Sequence, residues 1–210
     1  MSKQYTIPEI LAAEVDALRS IPATNDYEAA ISLILDRVHQ KGGRLITSGM
    51  GKAGQIAHNI ATTFSSTGTP AYFLHPSEAQ HGDLGMVCAD DLMLLISNSG
   101  KTREVLELVA LARRMYPTLP FILITGNTGS PLSELVEVTL STYFSFTKFF
   151  NQGFDLFRSS FFFSVDFPDI GTWDTVGFRE VFEASFAGYD EFLLSRDIVK
   201  FLFGFLVQFV

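Results

Sequence analysis

Four small polar residues lie where an apolar segment gives way to a helix, and together they could bind an anion. Ser97, Asn98 and Ser99 follow the apolar run Leu92–Ile96, and Thr102 precedes a segment whose apolar residues recur at helical spacing. The run predicts a strand buried on both faces, and Thr102 is expected to cap the helix. The free N–H groups of a helix N-terminus favour anions. A well-capped surface turn would contain the same residues, so this loop alone leaves both interpretations open.

Three ionisable residues near such loops could take part in acid or base chemistry. Lys52 opens a predicted helix, where the dipole disfavours a cation unless a bound anion compensates it. Glu104 lies in the first turn of the helix after the polar loop, a position that the dipole favours for any carboxylate. His81 lies among polar residues after the second predicted strand, and an imidazole can transfer protons near neutral pH. A histidine bonded to Asp83 is the structural alternative.

The remaining histidines and the single cysteine receive no function. His39 and His58 are too far apart in sequence to indicate a metal site, so we predict none. His75 is expected to pack and form hydrogen bonds at a strand end. Cys88 has two aspartates, Asp90 and Asp91, as its nearest charged neighbours in sequence, and negative charges disfavour a thiolate, so a reactive thiol is not expected.

Alternation of short apolar strands with helices predicts an α/β fold, a three-layer sandwich with a five-stranded parallel sheet between helices. The predicted strands span 44–48, 70–75, 91–97, 121–125 and 138–142. Helices are predicted at 7–20, from 25 to the Gly42-Gly43 pair, and at 53–66, 78–84, 103–116 and 131–137.

Local signals set the ends of several predicted helices. Asn25 and Glu28 have the spacing of a capping box, and Ser130 before Pro131 has the pattern of a cap and first-turn residue. The first helix carries an apolar stripe, formed by Ile10, Leu11, Val15 and Leu18.

Three of the predicted strands end in small polar loops, at 48–52, 97–100 and 125–127. The carboxyl ends of parallel strands meet at one edge, where ligands of such sheets bind, so the loops are expected to converge. Gly49 to Gly54 also matches the dinucleotide pattern G-x-G-x-x-G. The second strand lacks the acidic residue that a nucleotide site needs, since Glu78 lies beyond the turn. A nucleotide site therefore stays open only as an alternative.

Five segments together resemble the sugar isomerase, or SIS, family over residues 8 to 142. They are Ser48-Gly-Met-Gly-Lys52, Ala61-Thr-Thr-Phe64 with Ser66-Thr-Gly-Thr-Pro70, Phe73-Leu-His-Pro76 with Glu78-Ala-Gln-His-Gly-Asp-Leu-Gly-Met86, Ile96-Ser-Asn-Ser-Gly100 with Glu104, and Ile124-Thr-Gly126. Within that family they are most similar to arabinose 5-phosphate isomerases linked to Kdo synthesis and capsule formation.

The resemblance implies an aldose-ketose isomerase that interconverts arabinose 5-phosphate and ribulose 5-phosphate without a metal or organic cofactor, as a homo-oligomer, a dimer or tetramer. Such a reaction passes through an enediolate and needs a base, an oxyanion-stabilising group and a phosphate anchor. By resemblance, the catalytic residues are Lys52, His81 and Glu104. The expected substrate and phosphate-binding residues are Gly51, Ser97, Asn98, Ser99 and Thr102.

Composition limits the other partners of the chain. The net charge of −8 argues against nonspecific nucleic-acid binding, which needs a basic face. No apolar stretch reaches the length of a bilayer helix, so no membrane span is expected. One cysteine and a start without an apolar signal region predict a cytoplasmic protein.

The chain divides at about residue 142 into a predicted SIS domain, 1–142, and an atypical tail, 143–210. Of its 21 phenylalanines, 18 follow Tyr143, and the late His-x-Gly-Gly segment of the family is absent. The tail could be a diverged covering segment, a lipid-facing or partner-binding appendage, or an out-of-frame or chimeric translation, and the abruptness of the break favours the last. A non-catalytic sugar-phosphate-binding module is therefore the alternative function.

Overall fold

A parallel five-stranded sheet forms the centre of the protein in a computed structural model that describes residues 6–142. The strands are β1 (Leu45–Gly49), β2 (Ala71–Phe73), β3 (Leu92–Ile96), β4 (Phe121–Thr125) and β5 (Val138–Ser141). Their order in the sheet is β2-β1-β3-β4-β5, and every neighbouring pair is parallel. All five predicted strands are confirmed, although most are shorter than predicted.

Helices cover both faces of this sheet, as the continuous apolar strands require. After α1 (Ile7–Arg19), which precedes them in the chain, they are α2 (Tyr27–Ile34), α3 (Gly51–Ser66), α4 (Pro76–Ala79) and α5 (Arg103–Met115). A π-helical segment, Leu35–Gln40, extends α2, and a 3₁₀ turn, Asp83–Met86, follows α4.

Alternate residues of each central strand enter two separate cores. On β3, Leu92 and Leu94 pack with α2 and α3, whereas Met93 and Leu95 pack with α4 and α5. Every residue of β1, β3 and β4 is buried. This two-sided burial confirms the predicted α/β three-layer sandwich.

The predicted capping box of the second helix is wrong. Asp26 is the N-cap, and its carboxylate accepts a hydrogen bond from the Ala29 N–H at 3.0 Å. Asn25 instead reaches β5, where its amide donates to the Ser141 carbonyl at 2.8 Å and its side-chain oxygen accepts from the Ser141 N–H at 2.9 Å. Asn25, which the local pattern assigned to the cap, therefore makes a contact that is distant in sequence instead.

Two further helix predictions need correction. Residues 131–137 form hydrogen-bonded turns and no helix, with the Ser133 N–H donating to the Ser130 carbonyl at 3.0 Å. The helix predicted at 78–84 is replaced by α4 and the 3₁₀ turn.

The apolar stripe predicted for the first helix is not buried at the positions whose side chains the structure describes. Leu11 and Val15 are exposed, together with Ile7. The Phe-rich tail lies outside the described residues.

Asp91 anchors the start of β3 to the start of β1. Its buried carboxylate accepts hydrogen bonds from the Arg44 backbone N–H at 2.9 Å, the Arg44 guanidinium at 2.8 Å and the Cys88 N–H at 2.8 Å. This carboxylate raises the pKa of Arg44, mainly through the side-chain hydrogen bond. The guanidinium also lies 3.3 Å from the Cys88 Sγ, so the two aspartates are not the only charged neighbours of that thiol.

Replacing Asp91 is expected to destabilise the fold strongly. Asp91→Ala removes a buried carboxylate that accepts hydrogen bonds from Arg44 and Cys88, and we expect the free energy of unfolding to fall by about 3 kcal/mol in urea titrations. Asp36→Ala is the matched control, because Asp36 pairs with Lys41 at the surface and its loss should cost less than about 1 kcal/mol. Equal losses in the two variants would contradict the anchoring role of Asp91.

Candidate functional site

A cleft of about 590 Å³ opens at the carboxyl ends of β1, β3 and β4. In the sheet, β2 lies on one side of β1 and β3 lies on the other, so the direction of strand succession reverses at β1. The cleft therefore lies at the switch point where ligands bind in open α/β sheets. The lining residues are Met50, Lys52, Ala53, Ile56, Ile96, Ser97, Asn98, Ser99, Thr102, Ile124, Thr125, Gly126 and Thr142. The predicted convergence of three polar loops is therefore confirmed.

Thr102 occupies the N-cap position of α5, but its hydroxyl does not cap the helix. The Thr102 Oγ1 instead lies 2.8 Å from the Oγ of buried Ser97, and no side chain caps the first turn. The predicted capping bond is therefore wrong, although the helix begins where it was predicted. Within residues 6–142, the first N–H groups of α5 consequently have no side-chain acceptor.

Hydrogen bonds from the β4 loop hold the carbonyl groups of the polar loop. The Asn98 carbonyl accepts from the Thr125 hydroxyl at 3.2 Å and from the Gly126 N–H at 3.1 Å. The Ser99 carbonyl accepts from the Asn127 side-chain amide at 3.2 Å. Among residues 6–142, the N–H groups of Asn98 and Ser99 donate no such bond in return. Successive free N–H groups of this kind favour an anion.

Gly100 lets this loop turn against the segment that follows β4. Its φ is +61°, and a Cβ at this position would collide with the Ser130 side chain. The Gly100 carbonyl also accepts a hydrogen bond from the Leu132 N–H at 3.2 Å. The turn at 130–133 therefore supports the polar loop from behind.

A second helix N-terminus borders the cleft. Met50 is the N-cap residue of α3 and makes no side-chain capping bond. A Cβ on Gly54 would lie 2.6 Å from the Gly49 carbonyl oxygen, so glycine at this position allows α3 to begin close against β1. Lys52, exposed in the first turn of α3, lines the cleft.

Five of the eight predicted site residues line the cleft, namely Lys52, Ser97, Asn98, Ser99 and Thr102. Gly51 lies next to them at the start of α3, with a φ of +57°.

Glu104 and His81 are not in the cleft wall. Glu104 is half-buried in the first turn of α5, two residues after Thr102. His81 is exposed in the turn after α4, and within the described part of the chain its imidazole makes no hydrogen bond to Asp83.

The apolar wall of the cleft was not predicted from the sequence. It includes Met50, Ile56, Ile96 and Ile124. Ile56 lies four residues after Lys52, so helical periodicity could have placed the two on one side of α3. Thr142, also in the lining, follows directly after the last strand.

His75 packs without forming all the hydrogen bonds expected of it. Its ring lies edge-on to Phe73, with 6.2 Å between ring centroids. The Nδ1 atom is buried and has no hydrogen-bond partner in the described segment. Nor do the described residues contain a group of three or more His, Cys, Asp or Glu side chains that could hold a metal ion.

The sequence pattern of the SIS domain matches residues 38–145. The chain therefore belongs to the SIS domain family, in agreement with the parallel sheet and the cleft at its switch point.

Relatives of the chain include phosphosugar isomerases. It is 44% identical over 138 residues to arabinose 5-phosphate isomerase KdsD of Pseudomonas aeruginosa, a match over 65% of this chain and 40% of that protein. The chain thus spans about two fifths of the length of this curated relative.

Two solved structures share the fold. A Bacteroides fragilis protein assigned as a phosphosugar isomerase involved in capsule formation is 60% identical, with a TM-score of 0.64 over 65% of this chain and 71% of that one. An Escherichia coli CFT073 protein in complex with arabinose 5-phosphate is 32% identical, with a TM-score of 0.55 over 66% of this chain and 75% of that one.

No helix in residues 6–142 has the length and apolar character needed to cross a membrane.

The close approach at Gly100 predicts a large effect of one added methyl group. Gly100→Ala should lower the free energy of unfolding by about 3 kcal/mol, because it combines a strained backbone with a collision at Ser130. Gly68→Ala is the control, since Gly68 has a φ of +87° and open space around it, and should cost only about 1 kcal/mol. Chemical denaturation measures both, and similar losses would show that the collision at Ser130 has no effect.

Proposed function

We propose that this protein is a phosphosugar isomerase that interconverts arabinose 5-phosphate and ribulose 5-phosphate. The observation that carries the proposal is the cleft at the sheet's switch point, which two helix N-termini border and which Lys52 and six uncharged polar residues line. Similarity to KdsD of P. aeruginosa and to the E. coli protein in complex with arabinose 5-phosphate supports the substrate.

The substrate phosphate would bind at the loop between β3 and α5. The Asn98 and Ser99 N–H groups, the hydroxyls of Ser97 and Thr102, and the uncapped start of α5 offer donors to its oxygens. Gly51 allows the backbone at the start of α3 to approach the ligand from the other side, because it has no side chain there.

Glu104 is the proposed base of the reaction. It would remove the proton from C2 of the open-chain aldose, leaving an enediolate, and return it to C1 while the proton of the O2 hydroxyl moves to O1. Substrate and product are isomers, so no further reactant is needed. Lys52 would stabilise the oxyanion, and His81 would assist ring opening or transfer of the hydroxyl proton.

The physiological setting is part of the same proposal. Ribulose 5-phosphate would be converted to arabinose 5-phosphate for Kdo, lipopolysaccharide or capsule synthesis in the cytoplasm, with no role for nucleic acid. Similarity to the B. fragilis protein supports the link to capsule formation.

We also propose a homo-oligomer, a dimer or tetramer. The exposed side chains of Ile7, Leu11 and Val15 support it, since they lie along one side of α1 at four-residue intervals. Sedimentation at several protein concentrations would measure the oligomeric state.

A non-catalytic sugar-phosphate-binding module is the second candidate. The observation that favours it is the distribution of histidines, because all four lie at or before His81 and the family's late histidine segment is absent from the sequence. Such a module would bind arabinose 5-phosphate without converting it. Both functions require binding of arabinose 5-phosphate, but only the isomerase converts it.

Removing the proposed base should abolish turnover and leave binding. Glu104→Gln keeps the shape of the side chain but cannot accept the proton, so kcat for arabinose 5-phosphate should fall by about 100- to 10,000-fold. A coupled assay for ribulose 5-phosphate measures the rate, and a thermal shift with arabinose 5-phosphate measures binding.

Glu134→Gln is the matched control for this substitution. Glu134 is exposed in the turn after β4 and should leave kcat unchanged. Unchanged turnover in Glu104→Gln would remove Glu104 from the mechanism. A wild-type protein that binds the sugar phosphate without turnover would instead support the non-catalytic module.

A further inference from the structure

We propose that Glu107 is a positioning residue, which holds the turn carrying His81 against the helix carrying Glu104. The inference rests on the proposed function, since it concerns the relative placement of two of its acid and base residues. Glu107 itself does not line the cleft.

One carboxylate connects the two segments. The Gln80 side-chain amide donates to the Glu107 Oε2 at 2.9 Å, and the Arg103 Nε donates to the Oε1 at 2.7 Å. Gln80 immediately precedes His81, and Glu107 lies about one helical turn after Glu104 on α5. The bond from Gln80 therefore ties the neighbour of one proposed catalytic residue to the helix of the other.

The turn that carries His81 has little regular structure to hold it in place. It follows α4, a helix of four residues, and continues into Gly82, whose φ is +132°. The His81 N–H donates to the Glu78 carbonyl at 2.9 Å, a bond within the turn itself. A side-chain bond to α5 from the adjacent residue thus restricts where the exposed imidazole can lie.

Arg103 contacts the Glu107 oxygen that does not bind Gln80. Hydrogen bonds from Arg103 and, second, from Gln80 lower the pKa of Glu107. An ionised carboxylate has acceptor positions on both oxygens, so it can bond Arg103 and Gln80 at once. Since the Arg103 side chain is 86% exposed, its ion pair adds little to stability, and orientation of Glu107 is its main effect.

The hydrogen bond between Gln80 and Glu107 is tested by removing either side chain. Glu107→Ala and Gln80→Ala should each lower kcat by about tenfold with KM nearly unchanged, because a misplaced proton-transfer group slows chemistry more than binding. The double variant should lose no more than either single variant, since both remove the same bond. Glu134→Ala is the control for loss of an exposed carboxylate and should leave kcat unchanged.

A second measurement follows His81 directly. In histidine-labelled protein, NMR of the imidazole, assigned with His81→Asn, should show shifted His81 signals in Glu107→Ala and Gln80→Ala but not in Glu134→Ala. Thermal melting verifies that each variant is folded. Unchanged His81 signals would overturn the positioning role whether or not the protein turns over substrate. A wild-type protein without turnover would contradict the proposed isomerase and leave the NMR result to decide the role of Glu107.

Discussion

Two hydrogen bonds to one carbonyl group join the two loops that form the polar side of the cleft. The Asn98 carbonyl accepts from the Thr125 hydroxyl and from the Gly126 N–H, so the loop after β3 is fixed to the loop after β4. Beside this carbonyl, the N–H groups of Asn98 and Ser99 donate no backbone bond within residues 6–142, and Gly100 turns the chain toward α5. The parallel register of β3 and β4 makes these bonds available, because it brings the two strand ends to the same level.

Sequence periodicity was enough to predict the sheet and the position of the cleft. Each central strand is a short apolar run followed at once by small polar residues, and in a parallel sheet those ends must lie on one edge. Lys52, Ser97 and Thr102 could be assigned to that edge from their distance to the strand ends alone. The apolar wall was missed because Ile56 and Ile124 look like ordinary core residues in the sequence.

The errors arose where a distant contact competed with a local signal. Asn25 has the sequence context of a cap, yet it bonds Ser141, 116 residues away, and its neighbour Asp26 caps the helix. Ser130 before Pro131 also resembles a helix start, but the segment packs behind Gly100 and stays a turn. Thr102 caps by position only, because its hydroxyl bonds Ser97. The partners of Asn25 and of the 130–133 turn are distant in sequence, whereas the partner of Thr102 lies five residues away and competes with the cap from within the same loop.

The residues proposed for binding and those proposed for catalysis have different structural support. The donors proposed for the phosphate come from one rigid edge of the sheet, whereas Glu104 and His81 lie outside the cleft wall on separate segments. In the proposed reaction, proton transfer would therefore depend on how α5 and the turn after α4 are held relative to the sugar. The proposed phosphate site includes neither His81 nor the turn after α4, so phosphate binding can be measured separately from turnover.

Calorimetric titration of the full chain with arabinose 5-phosphate and with unphosphorylated arabinose tests the central claim most directly. Recognition through the phosphate loop predicts saturable binding of arabinose 5-phosphate and no detectable binding of arabinose at the same concentrations. Absence of binding by arabinose 5-phosphate, or equal binding of the two sugars, would contradict a phosphosugar site in this cleft.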